Sequence, residues 1–340
     1  MIYLAQILYF DLLSLPEPAR YYAARALEDA LEELYSLEIP VNVAVTKYTI
    51  DFLMKERSRL VDLLEDLAAS SFIEIVTTFS SPLNIEALSP YALESLLAVN
   101  RDTVVKAFNV HPQGFYLPNN SWNPLILSAL REKDYTYLVL WRDHEITTKV
   151  FEVENVLGDS LPAVNLNTGL CYYLLMYLKQ NISKEELLKK YKEKARTVDE
   201  NSILITVIEE SKWNHFKKIP ELLRTLREAG RFTIFKDYFF KVPPSIKVIM
   251  EVPKYAGSNH YLLLYSRAWD KIEETKTLAD LVERIGGSRS IIFHVNKLLQ
   301  EACEVLSKAD VYRDSLFIEH IGLALFKVSM AKKQLAFSLA

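Results

Sequence analysis

Glycine is scarce in this chain, with eight in 340 residues. Long, shaped loops need the positive-φ turns that glycine supplies, so the scarcity points to a helix-rich protein with trimmed loops. Cysteine is scarcer still. Cys171 and Cys303 lie far apart within apolar helical patterns, which suits reduced, buried thiols in a cytoplasmic protein better than a disulfide framework. The histidines show no His-x-x-x-His spacing and the cysteines no Cys-x-x-Cys, so neither a metal nor a cofactor is expected. No charge of one sign dominates. Forty basic side chains against 44 acidic ones leave a net charge of -4, which removes any broad electrostatic case for nucleic acid. Long apolar runs are missing too. The stretch from Ile2 to Leu15 lacks a basic flank and is interrupted by Gln6 and Asp11, so it suits a buried strand better than a signal peptide. No other window is long and apolar enough for a bilayer, and no membrane partner is expected. Gly-x-Gly-x-x-Gly, a Walker lysine loop and Gly-x-Ser-x-Gly are absent, so nucleotide and serine-hydrolase chemistry lack support.

What is there is alternation. Short apolar runs at Ile2–Phe10, Val41–Val45, Phe72–Thr77, Gly114–Leu117, Tyr135–Leu140, Val164–Leu166 and Ser202–Ile208 read as strands. Helical periods separate them. Leu60, Leu63, Leu64 and Leu67 mark one such face, Ile219, Leu222, Leu223 and Leu226 another, and Thr147–Val156 reads as a hairpin insertion. The pattern predicts an α/β fold, a seven-stranded parallel (β/α) barrel-like domain over residues 1–250, with an open doubly wound sheet as the alternative. From Asn259 only helices follow, broken at Gly286-Gly287 and Asp310. Residues 251–340 are therefore expected to form a helical region packed on the barrel.

Several residues carry potential chemistry. Glu74 sits inside a strand between Ile73 and Ile75 and points away from them, into a barrel lumen if they face the helices. A carboxylate buried there needs a partner. Asp143 and His144 follow the fifth strand, where barrel ligands bind. Trp122 and Trp213 read as packing residues first and as sugar platforms second. Asn119-Asn120 suits a simple turn between strand and helix.

One segment, Gly114-Phe115-Tyr116-Leu117-Pro118-Asn119 followed by Trp122, Pro124 and the strand at Tyr137-Leu138-Val139, resembles a block of glycoside hydrolase family 57. Phe72-Ile73-Glu74-Ile75, running to Ser81-Pro82, is similar to an earlier block, with Ser81 where the family has histidine. Tyr3-Leu4-Ala5-Gln6-Ile7 keeps at most the glutamine of a His-x-His-Gln-Pro motif. Ile208-Glu209-Glu210-Ser211-Lys212-Trp213 resembles the Asp-Gly-Glu block. Order and spacing match over residues 1–235. The resemblance implies a retaining glycoside hydrolase barrel whose nucleophile position holds Asn119 and whose acid/base position holds Ile208.

An amide is a far poorer nucleophile than a carboxylate, and isoleucine handles no proton. A slip of one residue puts Glu209 in the second position, but on a strand it also turns the side chain to the other face unless the backbone bulges. The resemblance therefore implies a catalytically impaired scaffold that binds an α-glucan type polysaccharide or oligosaccharide, or serves in assembly. The rivals are an active enzyme using Glu74, Asp143, Glu209 and Glu210, and a purely structural protein. A second copy or another protein is the expected partner for the carboxyl-terminal helices. Leu316-Phe317-Ile318, Ile321, Leu323, Leu325, Phe326 and Leu335-Ala336-Phe337 are apolar on more than one face there. Burial against the chain's own barrel is the simpler explanation.

Overall fold

The structure, a computed structural model, describes the chain apart from residues 57, 80–84, 86–87, 89, 119–121, 124, 142–146, 156–157, 250–259, 307–313 and 340. The side chains of 90–91, 210–212, 260–264, 266, 314–318 and 337–339 are also outside it.

The chain begins β1 (Tyr3–Phe10), α1 (Glu17–Ser36), β2 (Val41–Val45), α2 (Lys47–Lys55), α3 (Arg59–Ala69), β3 (Ile73–Thr78) and α4 (Pro90–Phe108). It continues with β4 (Gly114–Leu117), α5 (Ile126–Glu132), β5 (Tyr137–Leu140), β6 (Phe151–Glu154), β7 (Ser160–Asn165), α6 (Thr168–Leu178) and α7 (Lys184–Thr197). After β8 (Ile203–Glu209) come a 3-10 segment (Glu210–Lys218), α8 (Ile219–Leu226), β9 (Arg231–Phe232), α9 (Phe235–Lys241) and β10 (Lys247–Ile249). Three long helices close the chain: α10 (His260–Arg284), α11 (Arg289–Leu306) and α12 (Asp314–Leu339). Among the described residues no helix is long and apolar enough to cross a membrane.

Two units result. The first comprises Met1–Ser81, Val99–Asn120 and Leu130–Met250, the second Pro82–Ala98, Ser121–Ala129 and Glu251–Ala340. One sheet organises the first unit, in the order β10-β6-β7-β5-β4-β3-β2-β1-β8, with β9 added beside β1. From β7 to β8 every pairing is parallel, which gives the expected seven parallel strands. The Thr147–Val156 stretch supplies β6, which pairs antiparallel with β7 as a hairpin. The sheet curls until its ends meet. The Asn167 N–H, just past β7, donates to the Ile205 carbonyl of β8 at 2.9 Å, and the Ile203 N–H donates to the Thr148 carbonyl at 2.7 Å.

Strand residues alternate between two cores, as a sheet buried on both faces requires. Leu4, Leu8, Val43, Ile73, Ile75, Leu204 and Ile208 pack outward against Leu27, Leu31, Leu64, Leu187 and Leu222 of the helices. Ala5, Ile7, Tyr9, Ala44, Val76, Tyr116, Tyr137, Val164, Ile205 and Val207 fill the inside of the curl. Each fully buried leucine or isoleucine contributes roughly 1.5–3 kcal/mol relative to exposure, so these alternations fix which side each polar neighbour takes.

In the second unit, α10, α11 and α12 pack pairwise. Gly286, with φ +91°, ends α10, and the Gly287 N–H closes the last turn on the Val282 carbonyl at 2.8 Å. On α12 a single stripe is buried: Ile321, Ala324, Val328, Ala331 and Leu335, the last completely, while Leu323, Leu325 and Phe326 are exposed. The expected all-round apolar character falls partly on Leu316, Phe317, Ile318 and Phe337, whose side chains lie outside the described residues.

Candidate functional site

Glu74 belongs to the floor of the barrel. It shares the inner face with Val76, and its carboxylate is buried. The Tyr137 hydroxyl donates to Oε1 at 2.5 Å, and the Lys236 backbone N–H donates to Oε2 at 2.7 Å. Beside it, Asn42 Oδ1 accepts from the Phe235 N–H at 2.9 Å. The N-cap of α9 is Ile234, which has no side-chain oxygen, so Glu74 and Asn42 satisfy that helix's first N–H groups from the sheet. Tyr137 lies stacked on Phe239 at 4.3 Å, and Phe235 and Tyr238 are fully buried. The segment from β9 to α9 thereby plugs the barrel near the amino ends of β1 and β8: the Thr233 N–H donates to the Leu4 carbonyl at 2.9 Å and the Tyr238 hydroxyl to Asn201 at 2.7 Å. Burial pushes the Glu74 carboxyl up to about 7 against the lowering effect of its two hydrogen bonds. Burial, then the Glu74 charge, holds the Tyr137 phenol well above its ordinary range.

The opposite ends of the strands carry a cleft. A space of about 210 Å³ opens where β8 ends, lined by Trp141, Thr168, Cys171, Tyr172, Val207 and Glu209, with Leu174, Leu175, Leu178 and Ile208 as apolar wall. Glu209 is the last residue of β8 and partly buried. It follows Val207 by two, which turns it to the inner face, and it is level with Tyr9 of β1. The Tyr9 ring meets Tyr116 edge-on at 5.7 Å, and its hydroxyl donates to the Phe79 carbonyl at 3.3 Å. Asp11, two residues past Tyr9, is fully buried and accepts from Thr46 Oγ1 at 3.1 Å and from the Leu13 N–H at 3.2 Å, tying β1 to β2. Tyr172, in the first turns of α6, is 57% exposed at the rim. Burial pushes the Cys171 thiol up to about 12, and the charge of Glu209 adds to it. That is the wrong direction for a nucleophilic thiolate. Among the described residues no group of three or more His, Cys, Asp or Glu side chains is placed to hold a metal.

Residues 8–174 match the model of Glycosyl hydrolase family 57. That span, just under half of the chain, is similar to the family. The whole fold is similar to solved structures of the same kind. A 4-alpha-glucanotransferase from Thermococcus litoralis shares 14% identity at a TM-score of 0.67, with 98% of this chain covering 59% of that one. An alpha-amylase from Thermotoga maritima shares 10% identity at a TM-score of 0.70, covering 98% of this chain and 95% of that one. A family 57 type branching enzyme from Pyrococcus horikoshii gives 12%, 0.65, 97% and 87% in the same order. No curated protein matches the sequence.

The family match ends within α6, before β8, so the acid/base position rests on the motif resemblance and on geometry. Geometry separates the two neighbours there. Ile208 is level with Leu8, Val43 and Ile75 and packs with them on the helix side, whereas Glu209 faces inward. Glu74 and Ile208 thus lie on opposite faces of the sheet, and Glu74 is engaged by the floor. Glu74 lies near the amino end of β3 and Ile208 near the carboxyl end of β8, so the two are not neighbours.

Gln6 also faces the helices: its amide accepts from Thr206 Oγ1 at 2.9 Å, and Tyr191 of α7 donates to that same hydroxyl at 3.1 Å. Trp122 is fully buried in the second unit, and Trp213 packs on the helix-side core. Asn119, Ser81, Asp143 and His144, and the side chain of Glu210, lie outside the described residues. Trp141 and Tyr172 had no reading from the sequence, and Cys171 was read only as a buried thiol. The available signal was positional, an aromatic directly after β5 and another in the first turns of α6.

Proposed function

We propose that this chain binds α-glucan chains at the carboxyl-end cleft and does not carry out a retaining double displacement. What supports this reading is the distribution of inner-face carboxylates. Among the described residues Glu209 stands at the cleft, whereas Glu74 is held in the floor by Tyr137 and α9. A retaining pair needs two carboxyl groups about 5–5.5 Å apart, one of them free to attack the anomeric carbon. Asn119, at the position that the family resemblance gives to the nucleophile, offers an amide instead. The α-glucan class comes from the glucanotransferase, the amylase and the branching enzyme that share the fold. Trp141 and Tyr172 supply rings against which a sugar can stack, and Glu209 an acceptor for its hydroxyls. Titration calorimetry with maltoheptaose tests the reading. Binding weakened at least tenfold by Trp141→Ala, with no reducing sugar released over a day, is the expected result. No binding by the intact chain would end it.

The inward turn of Glu209 favours a second reading, an active enzyme with Glu209 as proton donor and a partner such as Asp143 just past β5. Release of reducing sugar that Glu209→Gln abolishes would establish this second reading in place of the first.

A further inference from the structure

The aromatic residues on the outside of the barrel are unevenly placed. Tyr21 and Tyr22, adjacent on the first turns of α1, are 47% and 64% exposed. The Tyr22 ring lies nearly parallel to that of Trp213, at 18° and 6.0 Å between centroids. Tyr21 meets Phe52 of α2 edge-on at 5.2 Å. Two ring pairs from three elements therefore meet at the adjacent residues Tyr21 and Tyr22. All three elements start where strands end at their carboxyl side: α1 follows β1, α2 follows β2, and the 3-10 segment with Trp213 follows Glu209 of β8.

A solvated helix face normally carries Lys and Glu at such positions, and two consecutive exposed tyrosines call for a reason. Polar groups surround the rings. Arg20 is fixed by bonds from Nε to the Leu12 and Leu15 carbonyls and from Nη1 to the Tyr48 hydroxyl at 2.7 Å, and Glu56 and Glu17 lie close to Tyr21. Rigid rings with phenolic and indole handles, set among fixed charged groups, suit an uncharged ligand that has apolar faces and a hydroxyl at every edge. A pyranose chain has that character.

We propose that Tyr22, Trp213 and Tyr21 form a surface platform for an α-1,4-glucan polymer, separate from the cleft and on the same rim of the barrel. The sugar class rests on the reading given for the cleft. The platform holds a long chain by stacking several sugar units while the cleft takes a single stretch of it. Polymer affinity then depends on Tyr22, and short-oligosaccharide affinity does not.

Native electrophoresis through gels with and without glycogen tests this, alongside calorimetry with maltotriose. The full chain is expected to be retarded by glycogen. Tyr22→Ala, at an exposed position that does not threaten folding, should weaken retardation at least fivefold and leave maltotriose binding unchanged. Trp141→Ala should weaken maltotriose binding and cost less retardation than Tyr22→Ala does. Tyr35→Ala is the control: Tyr35 is also exposed, near the other end of α1, about 20 Å away at 1.5 Å per residue. Retardation equal in Tyr22→Ala and the intact chain, or absent from the intact chain, overturns the platform. Equal losses in Tyr22→Ala and Tyr35→Ala overturn it as well. Loss of maltotriose binding to the intact chain, with glycogen retardation retained, overturns the cleft reading alone.

Discussion

Tyr137 on β5 reaches Glu74 on β3 across the strand that lies between them. It passes over Gly114 of β4, where an added Cβ would collide with the Tyr137 ring and hydroxyl. The glycine is there for space, since no left-handed backbone angle is recorded at this position. Glu74 in turn receives the first turn of α9, so one missing side chain lets a tyrosine, a carboxylate and the floor helix lock together.

Gly114→Ala should therefore break the floor. Overpacking a core typically costs about 1–3 kcal/mol, and a buried group stripped of its hydrogen bond costs about as much again. A loss of about 2–4 kcal/mol in urea unfolding is expected. The companion variant Gly114→Ala/Tyr137→Phe should recover little, because the ring still clashes. A Gly114→Ala chain as stable as the parent would show that Tyr137 has another place to go.

Stability should fall as pH rises from about 5 to 8. Glu74 is held near 7 in the folded chain and returns toward 4.5 on unfolding, so the folded state binds the proton more tightly. Its contribution is complete below about 4.5, declines through the window between the two values, and is gone above the folded one. The span corresponds to ~3 kcal/mol at most. Glu74→Gln keeps an acceptor for the Lys236 N–H and does not titrate, so its stability should be flatter across this window. Parallel pH slopes for the two proteins would contradict the assignment.

The strands were legible because their β-branched and aromatic runs are short and bounded, and the helices α3 and α8 because each shows one apolar stripe. Two things were hidden. Phe235–Lys241 is only two turns long, so periodicity does not announce a helix there; its partners, Asn42, Glu74 and Tyr137, come from strands far away in sequence. The other is the direction of Glu209. In Ile-Leu-Ile-Thr-Val-Ile-Glu both faces are apolar, as in any strand covered on both sides, so the alternation that assigns faces elsewhere is silent. Only the pairing with β1 decides between Ile208 and Glu209.

Ile208→Asp provides a test of that decision. If the side chain faces the helices, an aspartate there is an unpaired charge within packed leucines. It should cost about 3 kcal/mol or more and bring no activity. Thermal unfolding and a maltoheptaose assay on the same sample would check both halves. A stable Ile208→Asp chain that gained hydrolysis would place position 208 in the cleft after all.

The last test concerns the missing nucleophile. Asn119 follows β4 by two residues, at the position that the family resemblance assigns to the attacking carboxylate, and Glu209 ends β8 on the inner face. If one carboxylate is present and the other lost, Asn119→Glu should restore what is missing: a group that attacks the anomeric carbon while Glu209 donates its proton to the leaving oxygen. General acid catalysis is typically worth 10²–10⁴-fold. Asn119→Glu is thus expected to release reducing sugar from maltoheptaose at least about 100-fold faster than the parent, and Asn119→Glu/Glu209→Gln should lose most of that gain. The variants' unfolding midpoints keep the comparison fair, because a folded Asn119→Glu chain that stays inert argues that the cleft only binds. Turnover that survives Glu209→Gln would instead move the proton donor to another residue, with Asp143 the first to substitute.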